Sequence, residues 1–357
     1  MGKIRTAIVG VGNCASALVQ GVSYYRAVKD QAIVPGLMHT VFGGYRVRDV
    51  EFVAAFDVNR LKIRRDLGEA IFTEPNSCVR FAKVPRLGVE VVPGPISDGV
   101  APHMIEPFKA YSENPDSSAR EILVEVDAEV LVNFLPVGSR DATRLYAEAC
   151  LDAGVAFINA IPEFIASDPA WSVRFERAGL PVAGDDIKSQ VGATILHRRI
   201  IDLLMSRGVK VEETYQLNVG GNTDFLNMTV EERLKTKRTS KTEAVTSLVP
   251  YELPTRIGPS EYIPFLGDKK IAHIYARGRK FGDQPIIIDV KLQVEDSPNS
   301  AGVVIDAIRA VKIALDRGVS GPLESVSAYF FKHPPVNVQD DLAYRWVEEF
   351  IAGERER

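Results

Sequence analysis

The stretch RTAIVGVGNCASALV, residues 5–19, decides the fold of this chain. Its apolar beginning (5–9) reads as a strand, Gly-Val-Gly follows at 10–12, and 13–19 can continue as a helix. Glycines let a backbone approach a pyrophosphate, and a helix N-terminus offers free N–H groups, so this order indicates a dinucleotide site. The alternative is that the two glycines only make a tight strand-to-helix turn.

The dinucleotide fingerprint is incomplete. Ala15 stands where a third glycine is common, and Asp57, at the end of the apolar run 51–56, follows Gly12 by 45 residues instead of about 20. An insertion from about 23 to 49 explains that spacing. Asp57 is then the candidate for the adenosine ribose hydroxyls, and its charge favours NAD over NADP because it would repel a 2′-phosphate.

Short apolar runs and helical patterns alternate through the first half of the chain. The runs 128–134, 155–161 and 180–183 read as strands, and helical patterns follow Ser139, start near Pro169 and cover 195–204. Such alternation predicts an α/β fold with a Rossmann-like, doubly wound parallel sheet that is covered on both faces.

A second domain is expected after about Arg207, where the strand-like runs become longer (209–219 and 284–295). We predict a helix over 299–316 and a late strand over 325–331 that could rejoin the first sheet. The expected division is 1–200 together with 310–357 as the NAD-binding Rossmann-like domain. Residues 201–309 then form an α+β catalytic and tetramerisation domain with a mostly open sheet.

Composition excludes several classes of protein. The 357 residues carry 43 Lys and Arg against 47 Asp and Glu, a net charge of -4, which gives no global attraction to nucleic acid. Three cysteines without CxxC spacing suit a reducing compartment and argue against structural zinc. No apolar run approaches the roughly 20 residues that span a bilayer. We therefore expect a cytoplasmic globular protein that binds neither membrane nor nucleic acid.

Several lysines stand in contexts that point to a site. They are Lys188 in GDDIKS, Lys237 and Lys241 in RLKTKRTSK, Lys270 in FLGDKKIAH, and Lys332 in AYFFKHPP. Any one of them alone is best explained as a solvated charge. Lys332, however, is predicted to close an apolar strand and Lys270 follows a Gly-Asp turn, so both could project from element ends into a cleft. Lysines around a phosphate act as donors, and crowding lowers a lysine pKa toward one that suits proton transfer.

Two turns could bind anions or a cofactor. KSQVGAT (188–194) precedes a helix, so its backbone N–H groups and the hydroxyls of Ser189 and Thr194 could cradle a phosphate; an ordinary helix cap is the alternative. The turn at 218–224 is rich in glycine and amide side chains, and alone it could be a loop with Asx turns. No histidine spacing indicates a metal site or a hydrolytic triad.

Taken together, these segments resemble the myo-inositol-1-phosphate synthase family in its shorter prokaryotic form. The resemblance covers most of the chain and rests on ordered motifs: GVGNCAS (10–16), NFLPVGS (133–139), INAIPEF (158–164), GDDIKS (184–189), VGGNTDFLN (219–227), GDKK (267–270), QVEDS (293–297) and AYFFKHP (328–334). The phosphate turn departs from the glycine-first version of longer members, and we expect no long N-terminal extension of the kind that those members have.

The resemblance implies an isomerase that converts D-glucose 6-phosphate to 1D-myo-inositol 3-phosphate with bound NAD and no net oxidation. NAD takes hydride from C5, the C6 enolate attacks the C1 aldehyde, and the hydride returns to C5. The resemblance also implies a homotetramer built through the second domain's sheet. A divalent or monovalent cation is possible, although no metal-ligating residues are assigned.

The resemblance also assigns the site, motif by motif. The predicted catalytic residues are Lys237, Lys241, Lys270, Lys332 and Asp296. Lys237 and Lys332 act on the C5 oxygen and its proton, Lys241 binds the phosphate, and Lys270 serves the phosphate and C1. The predicted cofactor-binding residues are Gly10, Gly12, Asn13, Cys14, Ala15, Asp57, Asn133, Pro136, Ser139, Asn159, Pro162, Asp186 and Asn222. The predicted residues for the substrate phosphate are Lys188, Ser189, Gln190, Gly192 and Thr194.

Two other functions fit the glycine turn and Asp57. A simple two-domain NAD-dependent dehydrogenase must release NADH, whereas the synthase regenerates its cofactor in place. A non-catalytic NAD(H)-sensing protein would bind NAD without affinity for a sugar phosphate.

Overall fold

The computed structural model describes residues 2–30, 32–111, 118–230, 233 and 235–357, without the side chains of 235–238 and 259–260. The helices are α1 (Asn13–Tyr24), α2 (Leu67–Ala70), α3 (Ile105–Phe108), α4 (Ala119–Glu125), α5 (Arg140–Ala153), α6 (Pro169–Arg177), α7 (Ala193–Ser206), α8 (Thr223–Asn227), α9 (Lys235–Thr246), α10 (Asp296–Asp316), α11 (Glu324–Phe330) and α12 (Asp340–Ala352). The strands are β1 (Ile4–Val9), β2 (Val41–Phe42), β3 (Tyr45–Arg46), β4 (Val50–Asp57), β5 (Val91–Pro93), β6 (Val130–Asn133), β7 (Ala156–Asn159), β8 (Pro181–Ala183), β9 (Lys210–Gly220), β10 (Thr255–Tyr262), β11 (Lys269–Arg279), β12 (Pro285–Glu295) and β13 (Gly321–Pro322).

The first sheet has seven strands in the order β13-β8-β7-β6-β1-β4-β5, and every neighbouring pair is parallel. The strand order reverses beside β1, so the carboxyl ends of β1 and β6 open a crevice between them. The predicted Rossmann-like, doubly wound sheet is therefore confirmed.

Both faces of this sheet are covered, as the alternation of strands and helices predicted. Ile4 and Ile8 of β1 belong to a core shared with α1, α10, α11 and α12. Ala7 and Val9 face the other way, into a core shared with α4, α5 and α6. Side chains alternate between the faces of a strand, so a strand that is apolar throughout is buried on both sides.

The second sheet is mixed and has the order β10-β9-β11-β12. The β10–β9 pair is parallel, whereas β9–β11 and β11–β12 are antiparallel. One face packs on α7 and α9 through a core that includes Ile201, Leu204, Val245 and Ile274. This confirms a second α+β unit with a mostly open sheet.

The predicted strand over 325–331 is wrong, because 325–330 belong to helix α11 and Phe331, which follows it, makes only an isolated bridge to Ile187. Val326 and Phe330 pack into the core beneath the first sheet, and burial on nearly all sides explains why the segment carries strand-like apolar residues. The late strand that rejoins the first sheet is instead β13, which pairs with β8.

The insertion at 23–49 is anchored by buried charges. His39 contacts Asp306 Oδ2 through Nδ1 (2.6 Å) and Glu348 Oε1 through Nε2 (2.9 Å). Arg309, fully buried on α10, pairs with Asp306 and also donates to the His39 carbonyl (2.9 Å). These contacts fix the insertion to α10 and α12.

Two helices lie across the predicted domain boundaries. Helix α7 begins at Ala193 and packs on the second sheet, and α10 begins at Asp296 and packs mainly on α1. The division into 1–200 with 310–357 and 201–309 stays a prediction. Among the helices described, none combines the length and the apolar character needed to cross a membrane.

Candidate active site

The glycine turn opens a long cleft at the carboxyl edge of the first sheet. Gly10 has φ +87°, and a Cβ there would meet the Phe134 carbonyl oxygen at 2.6 Å, so only glycine fits without displacement. Gly12 precedes α1, and no atom lies within 4 Å of the position its Cβ would take. The first N–H groups of α1 have no partner within the helix, so this open space suits a pyrophosphate.

Asp57 lies at the end of β4 and lines the same cleft. Its Oδ2 accepts the Val11 N–H at 2.6 Å, and its Oδ1 accepts the N–H groups of Val58 and Asn59, both at 2.7 Å. These three donors fix the carboxylate beside the glycine turn. A carboxylate has about four acceptor positions, so it can still accept a hydroxyl from the cleft.

Most of the predicted cofactor residues line this cleft. They are Gly10, Gly12, Asn13, Cys14, Asp57, Pro136, Pro162, Asp186 and Asn222. Burial, followed by the nearby carboxylates of Asp268 and Asp296, raises the pKa of the Cys14 thiol to about 12. Cys14 therefore stays protonated and contributes a small side chain to the wall rather than a nucleophile.

Four predicted cofactor residues lie behind the wall of the cleft, and all four are fully buried: Ala15, Asn133, Ser139 and Asn159. The Nδ2 of Asn133 donates to Asn159 Oδ1 at 2.9 Å, and the Ser139 hydroxyl donates to the Pro136 carbonyl at 2.5 Å. Asn133, Ser139 and Asn159 thus hold the loops after β6 and β7, and Ala15 packs in the core of the first sheet. Sequence position at a strand end did not distinguish a side chain that faces the cleft from one that points into the protein.

Three of the four predicted catalytic lysines reach the cleft from separate parts of the chain: Lys241 on α9, Lys270 on β11 and Lys332 after α11. The Lys270 ammonium lies 3.0 Å from Asp296 Oδ1 at the start of α10. The backbone of Lys237 belongs to α9, but its side chain lies outside the described part of the structure. The cleft therefore combines a glycine turn with a group of converging ammonium groups.

Lys332 follows a helix and not the predicted apolar strand. Its Nζ donates to Asp186 Oδ1 and to the Ile187 carbonyl, both at 2.7 Å. Asp186 also accepts the buried Ser240 hydroxyl at 2.6 Å through Oδ2. A single carboxylate thus joins Lys332 to α9, the helix that carries Lys241.

The predicted phosphate turn is only partly at the cleft. Ser189 lines it, whereas Lys188, Gln190, Gly192 and Thr194 do not. The Lys188 ammonium is buried, donates to the Ala328 carbonyl at 2.8 Å and lies 3.5 Å from Asp340. The Gln190 amide donates to the Gly36 carbonyl at 2.9 Å. The assignment of this turn to a substrate phosphate stays a prediction, and Lys188 has structural partners instead.

Asp268 is a buried carboxylate that the sequence reasoning did not assign, although it lies in the GDKK motif. Its Oδ1 accepts the Asn222 Nδ2 (3.1 Å) and the Ser297 hydroxyl (2.8 Å), and its Oδ2 accepts the Ser297 N–H (3.1 Å). It therefore joins the starts of α8, β11 and α10, where Asn222, Lys270 and Asp296 face the cleft.

We expect Asp268 to make the stability of the protein depend on pH. Burial raises the pKa of Asp268 to about 6 from its ordinary 3.8, so between these values the folded state binds more protons than the unfolded state. Its contribution is therefore complete below pH 3.8 and is lost as the pH rises through 6. Urea unfolding of wild type and Asp268→Asn from pH 4 to 7 should show the stability advantage of wild type falling across this window. A constant difference would contradict the assignment.

The donors around the cleft suit an organic anion, because a helix N-terminus and three lysine side chains face it. Among the residues described, no three His, Cys, Asp or Glu side chains come close enough together to hold a metal ion. The open space beside Gly12 and the N-terminus of α1 fit the pyrophosphate of a dinucleotide. The fixed carboxylate of Asp57 fits its ribose. Lys241, Lys270 and Lys332 line the same cleft, so a second, anionic ligand that they bind would lie in one cavity with the cofactor.

Comparison with known proteins agrees with this arrangement. The model of the family described as myo-inositol-1-phosphate synthase matches residues 192–297. An inositol-3-phosphate synthase from Mycolicibacterium smegmatis is 52% identical over 99% of both chains, and one from Corynebacterium glutamicum is 49% identical over 98% of both. The crystal structure of Ari2 superposes with a TM-score of 0.78 at 34% identity, covering 98% of this chain and 99% of that one. On this likeness across almost its whole length, the chain belongs to the myo-inositol-1-phosphate synthase family.

Proposed function

We propose that this chain works as an inositol-3-phosphate synthase that converts D-glucose 6-phosphate to 1D-myo-inositol 3-phosphate, with NAD as a bound cofactor. The observation that carries the proposal is the convergence of Lys241, Lys270 and Lys332 on the cleft that begins at the glycine turn. A dehydrogenase that only passes hydride needs no such group of cations. An enzyme that acts on a sugar phosphate needs them, because oxygens of its substrate become anionic during the reaction.

NAD, when bound, supplies the acceptor for the C5 hydride and later the donor that returns it. The protein must stabilise negative charge on the C5 oxygen during enolisation and on the C1 oxygen during ring closure, while the phosphate stays anionic. A well-placed donor to such an oxyanion contributes about 3 kcal/mol to lowering the barrier. Lysines that donate to these oxygens would therefore account for a large share of the catalysis.

The roles follow from motif position and from the ion pairs. Lys237 and Lys332 are proposed to hold the C5 oxygen and move its proton, Lys241 to bind the phosphate, and Lys270 to serve the phosphate and the C1 oxygen. Asp296 would hold the Lys270 ammonium in place, as their 3.0 Å contact supports. An ammonium has three donors, so a lysine held by one carboxylate keeps others for the substrate.

Assembly and location are further parts of the proposal. The outward face of the second sheet carries the stacked pair Tyr215 and Tyr275, with ring centroids 4.9 Å apart, beside the exposed Leu217. A second copy of the chain on this face would remove that apolar surface from water, which favours association through the second sheet. The proposed number of subunits, four, comes from the resemblance to the family. Three free cysteines favour a reducing, cytoplasmic location.

The stoichiometry of NADH tests the function. With D-glucose 6-phosphate and a catalytic amount of NAD, inositol phosphate should accumulate, because the cofactor is regenerated in place. The nicotinamide absorbance should show no steady rise. The assay follows product by phosphorus-31 NMR and NADH by absorbance in the same sample.

The two other functions give different results in this assay. A dehydrogenase would produce NADH in proportion to turnover. An NAD(H)-sensing protein would bind NAD and show no heat on calorimetric titration with D-glucose 6-phosphate. Either outcome would reject the synthase.

A further inference from the structure

Lys62 is a buried cation in the cleft that neither the motifs nor the proposed reaction uses. It lies five residues after Asp57, lines the cleft and is only 3% exposed. Its Nζ donates to the Val11 carbonyl at 2.6 Å and, more weakly, to the Pro75 carbonyl at 3.4 Å. Within the described part of the chain it forms no ion pair.

Asp57 and Lys62 hold Val11, the residue between the two glycines, from both sides. The Val11 N–H donates to Asp57 Oδ2 at 2.6 Å, and the Val11 carbonyl accepts from Lys62. The glycines on either side of Val11 have unusual backbone freedom, so these contacts set the direction in which the turn presents its N–H groups. The turn that would receive a pyrophosphate is thus fixed by a pair of opposite charges.

Backbone carbonyls alone do not explain a lysine here. Removing an ammonium from water costs several kcal/mol, and burial accordingly lowers the pKa of Lys62, an effect that Asp57 opposes. An ammonium has three donors, and two carbonyls leave one. Asp57, Asn59 and Ile96 line the cleft together with Lys62. An anionic or hydroxylated ligand beside Asp57 would satisfy the third donor.

We propose that Lys62 is a specificity-determining residue of the dinucleotide site, which holds the Val11 carbonyl and directs its remaining donor to the adenosine half of the cofactor. This inference rests on the proposed function, since it requires that the ligand is a dinucleotide. It also modifies the expectation that Asp57 alone favours NAD over NADP. The charge of Lys62 offsets part of the repulsion between Asp57 and a 2′-phosphate, so the pair sets the preference between NAD and NADP.

Calorimetric titration of the whole protein tests this inference with four probes: NAD, NADP, ADP-ribose and nicotinamide mononucleotide. In Lys62→Met, the Kd for NAD and for ADP-ribose should rise about tenfold or more, because a hydrogen bond from a charged group is lost. The Kd for NADP should rise further than that for NAD. Nicotinamide mononucleotide should bind as in wild type. Lys83→Met, which removes an exposed lysine, is the matched control.

Two results would overturn the inference. Unchanged affinity for NAD and ADP-ribose would show that Lys62 does not contact the adenosine half. An equal loss for nicotinamide mononucleotide would show that Lys62 only holds the turn. Circular dichroism and thermal unfolding report the fold of each variant. If Lys62→Met does not fold, the same titrations are made with Lys62→Gln, which keeps a donor without the charge. If wild type itself binds no NAD, it is the proposed function that fails.

Discussion

Lys332→Ala is expected to abolish measurable turnover, a loss of at least about 10³-fold in kcat, and to leave NAD bound. The Lys332 ammonium is held at the cleft by Asp186 Oδ1 and the Ile187 carbonyl, both at 2.7 Å, and is proposed to hold the C5 oxygen and move its proton. Its removal takes away a donor that acts on charge developing in the transition state. The glycine turn and Asp57 are held by other contacts, so the Kd for NAD should change by less than about threefold.

The experiment measures single-turnover product formation and, separately, NAD binding by calorimetry. Lys332→Met, which keeps most of the side-chain volume, should behave as Lys332→Ala does, which separates the charge from packing. Lys269→Ala removes an exposed lysine beside Lys270 on β11 and should retain activity. Near-normal product formation by Lys332→Ala would remove Lys332 from the catalytic group.

The first sheet could be predicted from the sequence because its signals are local. A short apolar run that ends in glycine, followed by a helical pattern, specifies β1 and α1 without any knowledge of the rest of the chain. Helix α11 was missed because its residues, Ser-Val-Ser-Ala-Tyr-Phe-Phe in the region 325–331, include the β-branched and aromatic types that strands prefer. Tertiary burial around Val326 and Phe330 decided the outcome there.

The site was less readable, because its contacts join distant parts of the chain. The grouping of Lys241, Lys270 and Lys332 followed from the resemblance to a family and not from any spacing. Lys188 looked equally suitable in sequence, but its partner Asp340 lies 152 residues away and takes it out of the cleft. The sequence offered only weak indications for Asp268, which lies in the GDKK motif with Lys270, and for Lys62, which follows Asp57 by five residues. Their contacts in the structure show what they do.

Asp340→Asn is expected to lower the free energy of unfolding by about 3 to 5 kcal/mol, because it leaves buried cations without their counter-charge. Asp340 lies 2.8 Å from Arg198 Nε and 3.5 Å from Lys188 Nζ, and the three side chains are 5%, 1% and 3% exposed. Burial alone would raise the pKa of Asp340, but Lys188 and Arg198 lower it below its ordinary value. The carboxylate therefore stabilises the folded state wherever it is ionised.

The loss of unfolding free energy caused by Asp340→Asn should decrease as the pH rises, because Lys188 loses its proton. Burial, reinforced by Arg198, lowers the pKa of Lys188 to about 7 from 10.5, so the folded state loses this proton before the unfolded state does. Above pH 7 Lys188 is neutral in the folded wild-type protein. Its attraction to Asp340 is then absent, so Asp340→Asn removes less stabilising energy. Urea unfolding should therefore show a larger difference between wild type and Asp340→Asn at pH 6 than at pH 9.

Asp341→Asn is the matched control, because Asp341 is the next residue in the first turn of α12 and pairs with Arg199 in solvent. Both substitutions remove one charge from the same helix terminus, so they share any effect of the helix dipole. The Asp341 side chain is 74% exposed, and its loss should cost no more than about 1 kcal/mol at either pH. Equal effects of the two substitutions would mean that the buried triad adds nothing to the attachment of α12. A large and pH-dependent excess for Asp340→Asn would instead identify the triad as the support behind the segment that carries Lys332, since Lys188 also holds the Ala328 carbonyl of α11.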